Sequence, residues 1–500
     1  KAEDPVTNYD QDFVYSQDSE RRYGNGWEEV GARQSLIGRA NYNFDEKYIA
    51  EFSFRYDGNT LFPKGNRWGF FPSISAAWRI AGEEFMSGTT SWLDDLKLRM
   101  SYGTTGNDLD VYNNRINPFS FVNTYSNQGS YIFGDQLYTS IVPGATPNPN
   151  LTWATSTTYN VGLDFELIDT RLSGSIDAFY KQEVDILGSR LVTLPDNYGQ
   201  SLAPENYAER SWKGGELALL WRDQSAGGKL NYSVYGNLGY ARDQWDKLDQ
   251  DPIYLPGGNR EFETQIGQPS GRIFGLKSLG IIRTQEQLNT LLEAGLKQFG
   301  RDPYLGGLYF EDVRGDGYSP GPDGKIDGND FQLLSNNATP RLNYGFGFNL
   351  DWKNFSVTSH FQGVGVYDRI ISNQEGAGMR QHGGSIRPYY PIWADDVWTP
   401  ENPDAKYPRP VGQNWYESGT GSTSFWIKNG AYLRLKNLNV GYNIPSNVLS
   451  NFKIASAKVF FNGTNLFAIS EVKEFQDPEQ KNYDSFPLMR SFTLGLDVKF

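Results

Sequence analysis

A two-residue alternation constrains this chain more than any other feature. Between Tyr159 and Leu167, one parity carries Tyr159, Val161, Leu163, Phe165 and Leu167, and the other carries Asn160, Gly162, Asp164 and Glu166. Successive side chains of an extended strand point to opposite faces, so this spacing makes one apolar and one polar face. The period recurs in Leu342, Tyr344, Phe346, Phe348, Leu350 and Trp352 against Asn343, Gly345, Gly347, Asn349 and Asp351, and again from Leu96 to Tyr102. Further copies run over 48–56, 172–180, 230–240, 438–442, 457–463 and 492–500. The pattern predicts about fourteen strands, most near the roughly 9–11 residues that a tilted strand needs to cross a bilayer.

A soluble sandwich would show the same period, with its apolar parity against a second sheet. Two features favour a membrane barrel. Apolar runs end on aromatics, as at Tyr48 and Tyr56 or Tyr344 and Trp352, while the other parity carries Glu51, Arg55, Lys97, Arg99, Asp164, Glu166 and Asp497, as suits a wet lumen. The links also alternate. Tight turns at Asp169-Thr170 and Asp351 to Asn354 contrast with long connections over about 105–158, 243–340 and 365–430, as expected of short periplasmic turns and long extracellular loops. One long link holds a predicted helix, with Thr284 and Gln287 as a capping box and Leu288, Leu291, Leu292 and Leu296 at helical spacing.

Composition removes other classes. The chain has no Cys and only His360 and His382, which excludes disulfides, thiolate metal sites and a His-rich metal centre. A net charge of −13 with no Lys/Arg cluster argues against nucleic acid. Mean hydropathy is −0.58 and no long apolar run exists, so no transmembrane helix is expected. The paired carboxylates Glu28-Glu29, Glu83-Glu84 and Asp94-Asp95 are adjacent, and adjacent strand residues face opposite ways, so no catalytic set is predicted. His360 reads as structural.

Specific blocks carry a family likeness. NYNFDEKYIAEFSFRYDGNTLFPKGNRWGFFPSISAAWRIAGEEFM (41 to 86), LKLRMSYGTTGN (96 to 107) and NPNLTWATSTTYNVGLDFELIDTRLSGSIDAFYK (148 to 181) are followed by IGQPSGRIFGLKSLGII (266 to 282), FWIKNGAYLRLKNLNVGYNIP (425 to 445), FNGTNLF (461 to 467) and FPLMRSFTLGLDVKF (486 to 500). In this order they resemble the SusC/RagA family of TonB-dependent outer-membrane transporters of Bacteroidetes-type bacteria. The resemblance implies an all-β transmembrane antiparallel barrel with long extracellular loops. It further implies that residues 1–500 are the C-terminal part of a 22-stranded barrel, with the plug, the TonB-engaging segment and the N-terminal carboxypeptidase-like domain outside this chain. Asp57-Gly58-Asn59 and Gly103 to Asn107 read as turns, Pro72 as the beginning of a strand and Pro445 as the end of one.

Three sets of candidate site residues follow. Asp312, Asp316, Asp323, Asp327 and Asp330 lie among glycines, the composition from which a loop can build an oxygen cage for calcium, although Arg314 and Lys325 stand where such a pattern wants Asp or Asn. The aromatics Tyr389, Tyr390, Trp393, Trp398, Trp415, Tyr416 and Trp426 sit in one long link. Among them Trp393, Trp398, Trp415 and Tyr416 are the candidates for stacking on substrate, the alternative being loop packing. Phe492, Leu494, Leu496, Val498 and Phe500 form the closing strand, which by resemblance is the outer-membrane assembly signal.

The function the resemblance implies is import of a large nutrient, an oligosaccharide or oligopeptide, across the outer membrane. Its implied partners are a SusD-like surface lipoprotein lid, the remaining N-terminal barrel and plug portion, TonB through that portion, and outer-membrane lipid. Two rivals stay open at this point: a SusC-like barrel acting as a scaffold without transport, and a soluble β-rich glycan-binding protein.

Overall fold

The computed structural model describes residues 31–500 except 113, 115, 117–119, 192–194, 196–197, 226, 372–395, 410–421, 451–453 and 481–487, and only the backbone of 126–129, 137 and 139. Thirteen strands form one antiparallel sheet: Arg33–Phe44 (β1), Tyr48–Asn59 (β2), Trp68–Arg79 (β3), Leu93–Asn107 (β4), Ala154–Leu167 (β5), Leu172–Gly188 (β6), Glu205–Gln224 (β7), Leu230–Lys247 (β8), Leu342–Trp352 (β9), Phe355–Gly365 (β10), Tyr432–Asn443 (β11), Ser456–Ser470 (β12) and Ser491–Lys499 (β13). Each pairs with the next in sequence, a plain up-and-down meander whose edges, among the described residues, are β1 and β13. Among the described residues no helix is long and apolar enough to cross a membrane.

The alternation holds across the whole register. Trp78, Leu98, Leu163, Ile176, Leu217, Leu238 and Tyr344 lie opposite one another on successive strands. One residue along, Arg99, Gly162, Asp177, Glu216, Gly239 and Asn343 line up on the reverse face. A slip of one residue would exchange the faces, so burying the apolar set in lipid fixes the parity of every pairing together.

Links alternate by rim. At one rim lie 45–47, 80–92, 168–171, 225–229, 353–354 and 444–455; at the other lie 60–67, 108–153, 189–204, 248–341, 366–431 and 471–490. Short links use left-handed backbone: φ is +53° at Asp45 and Glu46 and +53° at Lys353. The 168–171 turn holds Ile168, Asp169 and Thr170 all at positive φ, secured by the Ile168 N–H to the Trp92 carbonyl of the neighbouring link (2.9 Å) and the Thr170 N–H to the carboxylate of Asp94 at the start of β4 (2.9 Å). Aromatics mark both ends of the apolar band. Phe355 and Tyr442 meet at 4.6 Å near the short-link rim, and Tyr56 stacks on Trp68 at 4.9 Å and Tyr102 meets Tyr159 at 5.3 Å toward the other.

Several local expectations change. Asp57-Gly58-Asn59 and Gly103 to Asn107 are strand ends rather than turns, because the ladders run on past the apolar band. Pro72 lies inside β3, not at its beginning. It pairs with Phe54 of β2 but sits just before the first β3–β4 pair, Ser73 with Gly103, and its carbonyl accepts the Thr104 hydroxyl at 3.1 Å, so on the β4 side the ladder has not yet begun and no N–H is needed. Glu83 belongs to a link, not a strand, and accepts from Tyr48 Oη (2.6 Å) and Trp78 Nε1 (2.9 Å). The helix is Gln285–Glu293 (α1), capped by Thr284 accepting the Gln287 N–H at 3.2 Å; the Gln287 side chain reaches the Arg283 N–H rather than the cap.

The sheet itself has little interior. The largest fully buried side chains, among them Trp426, Tyr407, Phe62, Leu151, Leu276 and Ile282, all lie in the long links. What a soluble protein buries between layers, this one buries in a cap at one rim.

Candidate functional site

The polar face begins with an ion-pair ladder. Arg79 pairs with Asp95 (2.8 Å), Lys97 with Asp164 (2.8 Å), and Arg99 with both Asp164 (2.7 Å) and Asp177 (3.0 Å). Asp95 and Asp164 lie next to or diagonal from their partners on the neighbouring strand, the reach at which opposite charges on one face of a sheet interact, whereas Asp177 lies one strand further, beyond Gly162. Toward the long-link rim, Asn107 donates to the largely buried Glu183 (2.7 Å).

Above the ladder, β7 and β8 each contribute two same-face residues: Arg210 and Trp212, and opposite them Trp245 and Asp243. The Arg210 guanidinium lies 4.9 Å from the centroid of Trp212 and 5.1 Å from that of Trp245, and it donates to Asp243 and to Ser270 Oγ (2.7 Å). Lys181 adds a second cation 4.5 Å over Trp212. The longest link closes over these residues with Asn336, Thr339 and Arg341, leaving a cleft of ≈ 490 Å³. Flat rings, fixed cations and amide groups around one cleft are chemistry for holding a polar molecule with apolar faces. Sequence reading missed this cleft. Its signal is an Arg-x-Trp and an Asp-x-Trp that meet only once the register is known.

A packed cap covers that rim. Leu276, Ile281, Leu308, Phe310, Ile326, Trp398 and Ala405 form one core; Ile371, Tyr407, Trp426, Val472 and Phe475 form another. Arg283 ties two links by donating to the carbonyls of Pro403 (2.5 Å) and Ala405 (2.9 Å). Gly275 lets the chains touch: a Cβ there would stand 1.9 Å from the Ser422 carbonyl oxygen. Burial pushes the Tyr407 hydroxyl above its ordinary value, outweighing the opposing pull of the Lys406 ammonium.

This placement corrects the aromatic expectation for Trp398. It is 4% exposed, inside the first core, against Gly306, whose Cβ would meet the indole at 2.3 Å. Its faces are occupied by the cap, so it packs loops rather than substrate. Trp426 is likewise buried and stacks with Tyr407 at 6.2 Å. Trp393, Trp415 and Tyr416, with Tyr389 and Tyr390, lie outside the described residues.

The five aspartates do not fit a calcium cage. Asp330 spends its carboxylate on the N–H groups of Val313 (2.8 Å), Arg314 (3.1 Å) and Asp327 (2.9 Å), and Asp312 on those of Asp323 (3.2 Å) and Gly324 (2.7 Å). Asp327 accepts from Asn329 N–H (2.7 Å). The Lys325 ammonium, 3.2 Å from Asp316 and 3.5 Å from Asp323, supplies the positive charge that an ion would bring. Among the described residues no group of three acidic or His side chains is placed to hold a metal. Burial raises the Asp330 carboxyl above the usual carboxylate value despite its three donors.

Phe492, Leu494, Leu496 and Val498 share the apolar face of β13, opposite Gly463, Phe461, Val459 and Ala457, and Phe500 follows the strand at 92% exposure.

Comparison with known proteins places this architecture. Residues 2–466 match the family described as TonB dependent receptor-like, beta-barrel. TonB-dependent receptor P3 of Formosa agariphila is 30% identical over 494 residues, 93% of this chain and 45% of its own length; TonB-dependent receptor SusC of Bacteroides thetaiotaomicron is 25% identical over 485 residues, 93% of this chain and 43% of its own. The chain therefore spans less than half the length of these relatives. The RagAB peptide transporter has the same fold over 94% of this chain and 48% of its own, with a TM-score of 0.68 at 22% identity. These matches overturn the soluble glycan-binding rival, since the apolar face belongs to an outer-membrane barrel wall. The chain belongs to the TonB-dependent receptor-like β-barrel family, with SusC among its relatives.

Proposed function

We propose that this chain is the wall, lumen lining and extracellular cap of a SusC-like importer that takes a large nutrient, an oligosaccharide or oligopeptide, across the outer membrane. The observation that carries the reading is the Arg210, Trp212 and Trp245 cleft, set where the polar face meets the cap. A solute arriving from outside meets rings and fixed charges there before the ion-pair ladder below it. Further strands and a plug complete the barrel. Supporting this, β1 and β13 are edges of the sheet, and an edge left unpaired in lipid is not tolerated. A SusD-like lipoprotein docks on the cap, and TonB acts through the plug portion.

The test is growth. A deletion strain complemented with the full-length protein, or with Arg210→Ala/Trp212→Ala, is supplied with oligosaccharide and oligopeptide panels as sole nutrients. Complementation restores growth on one class, and the double variant fails on it at limiting concentration. Equal growth of the deletion strain on every nutrient would sink import and favour the scaffold role.

A further inference from the structure

The cleft at the top of the polar face carries more positive than negative charge. Lys181, Trp212 and Asp243 lie opposite one another on β6, β7 and β8, and Glu183, Arg210 and Trp245 form the next row toward the long-link rim. The Ala241 N–H donates to the Arg341 carbonyl at 3.0 Å, which extends the β8–β9 ladder one residue past Leu342 and sets Arg341 in the cleft wall. Three cations, Lys181, Arg210 and Arg341, thus meet two carboxylates, Glu183 and Asp243, in a chain whose net charge is −13.

The carboxylates are already engaged. Asp243 accepts from Arg210 Nε at 2.9 Å and from the Ser270 N–H at 3.3 Å, and the buried Glu183 accepts from Asn107 at 2.7 Å. Two of the cations are not. Among the described residues neither Lys181 nor Arg341 makes an ion pair: the Lys181 ammonium stands over Trp212, 4.5 Å from the ring centroid, and the Arg341 side chain donates to the backbone carbonyl of Asn336. Fixed cations without acidic partners in a cleft concentrate anions there and form strong, charge-assisted bonds to them.

Spacing and backbone narrow the occupant further. Lys181 is on β6 and Arg341 at the start of β9, three strand spacings of roughly 4.8 Å, so their backbones stand about 14 Å apart. That span suits an oligomer with acid groups on separate units better than one small anion. The strands β6 to β9 are each paired on both sides, so the cleft has no free edge to which a peptide could add as a strand. Between the cations it offers the side chains of Ser270, Asn336 and Thr339, hydroxyl and amide groups that can bond sugar hydroxyls.

We infer that the cleft selects an acidic oligosaccharide, a glycan with carboxylate or sulfate on repeated units, and that Lys181 and Arg341 each hold one acid group. The inference rests on the import reading and narrows its substrate class.

The test is isothermal titration calorimetry of the full-length protein with oligosaccharides of galacturonate, alginate and sulfated carrageenan. Each is set beside its neutral counterpart, made by methyl esterification or desulfation, and beside oligoglutamate of equal length. At least one acidic glycan should bind at least tenfold more tightly than its neutral counterpart. Lys181→Gln with Arg341→Gln should lower that affinity at least fivefold while keeping heat-modifiable migration. Lys213→Gln, which removes a cation from the outward face of β7, should leave it unchanged. Absent or equal binding of acidic and neutral glycans, tighter binding of oligoglutamate, or undiminished affinity in the folded double variant would overturn the proposal. Should the double variant fail to fold, the comparison of acidic with neutral glycans still decides it. Binding is read without transport, so intact acidic selectivity beside a deletion strain that grows equally on every nutrient would uphold the cleft assignment and sink import alone.

Discussion

Arg99 grips Asp164 with two bonds, from Nε at 2.9 Å and Nη2 at 2.7 Å, and the guanidinium can do so because the residue directly opposite it is Gly162. A Cβ on Gly162 would fall 2.7 Å from Arg99 Nη2 and 2.3 Å from the Asp177 carboxylate. The bare backbone lets one cation bridge three strands. Gly162→Ala should break the Arg99 to Asp177 bond, and Arg99→Gln should remove both pairs. Because the side chains are about one-third exposed, we expect only about 1 kcal/mol in either case. The check is the temperature at which the barrel loses heat-modifiable migration; a shift as large as that of a core cavity would contradict this.

Trp398 belongs to the cap. Trp398→Ala should open a cavity worth roughly 3–5 kcal/mol to the cap alone, so limited proteolysis should cut links 248–341 and 366–431 while the strands stay protected. Trp398→Phe should restore most of the resistance. Full protease resistance in Trp398→Ala would return this residue to the substrate-stacking set.

Asp330 gives the cap a pH dependence of known sign. Its carboxyl is raised by burial, so the folded cap binds this proton more tightly than the unfolded chain does. That contribution is fully present below the ordinary carboxylate value and is lost as pH rises through the raised one. In Asp330→Asn the contribution should vanish, flattening the acid limb of cap stability followed by proteolysis. The variant should also cost about 1–3 kcal/mol at neutral pH, where an amide N–H₂ would face backbone donors. Parallel pH profiles for parent and variant would contradict the assignment.

Calcium should not matter to the aspartate loop. With Lys325 placed between Asp316 and Asp323, adding millimolar calcium or a chelator should leave the proteolytic midpoint of the cap unchanged. A stabilisation that saturates with calcium would mean that the loop can rearrange into a cage. Lys325→Asn is the informative companion, since it removes the internal cation.

The closing strand carries an assembly prediction. Phe500→Asp, or removal of Phe500, should lower the amount of folded protein in the outer membrane severalfold. Once folded, the barrel should keep nearly its parental stability, because Phe500 makes little contact at 92% exposure. Quantitative blotting of heated and unheated membranes separates the two effects.

Strand identity was legible because one physical demand, apolar out and polar in, repeats at every second residue. The long and short links were legible for the same reason, since breaks in the period mark the rims. Pro72 and the Asp57 to Asn59 stretch were misread because local turn chemistry is a weak force against a neighbouring strand that continues the ladder. Trp398 and Asp330 look in sequence like a binding ring and a metal ligand. Only their neighbours, Gly306 and three backbone N–H groups, show them to be packing and turn-forming groups.

By itself, then, the sequence determined a β-barrel wall, the parity of its two faces and its rims, because lipid on one side and water on the other impose a pattern each strand must carry in full. The tertiary structure alone decided where function concentrates. The Arg210, Trp212, Asp243 and Trp245 cleft and the cap cores join residues far apart in the chain, and pairings of that kind leave no period behind. They exist only after the meander has closed its register and brought the long links together over one rim.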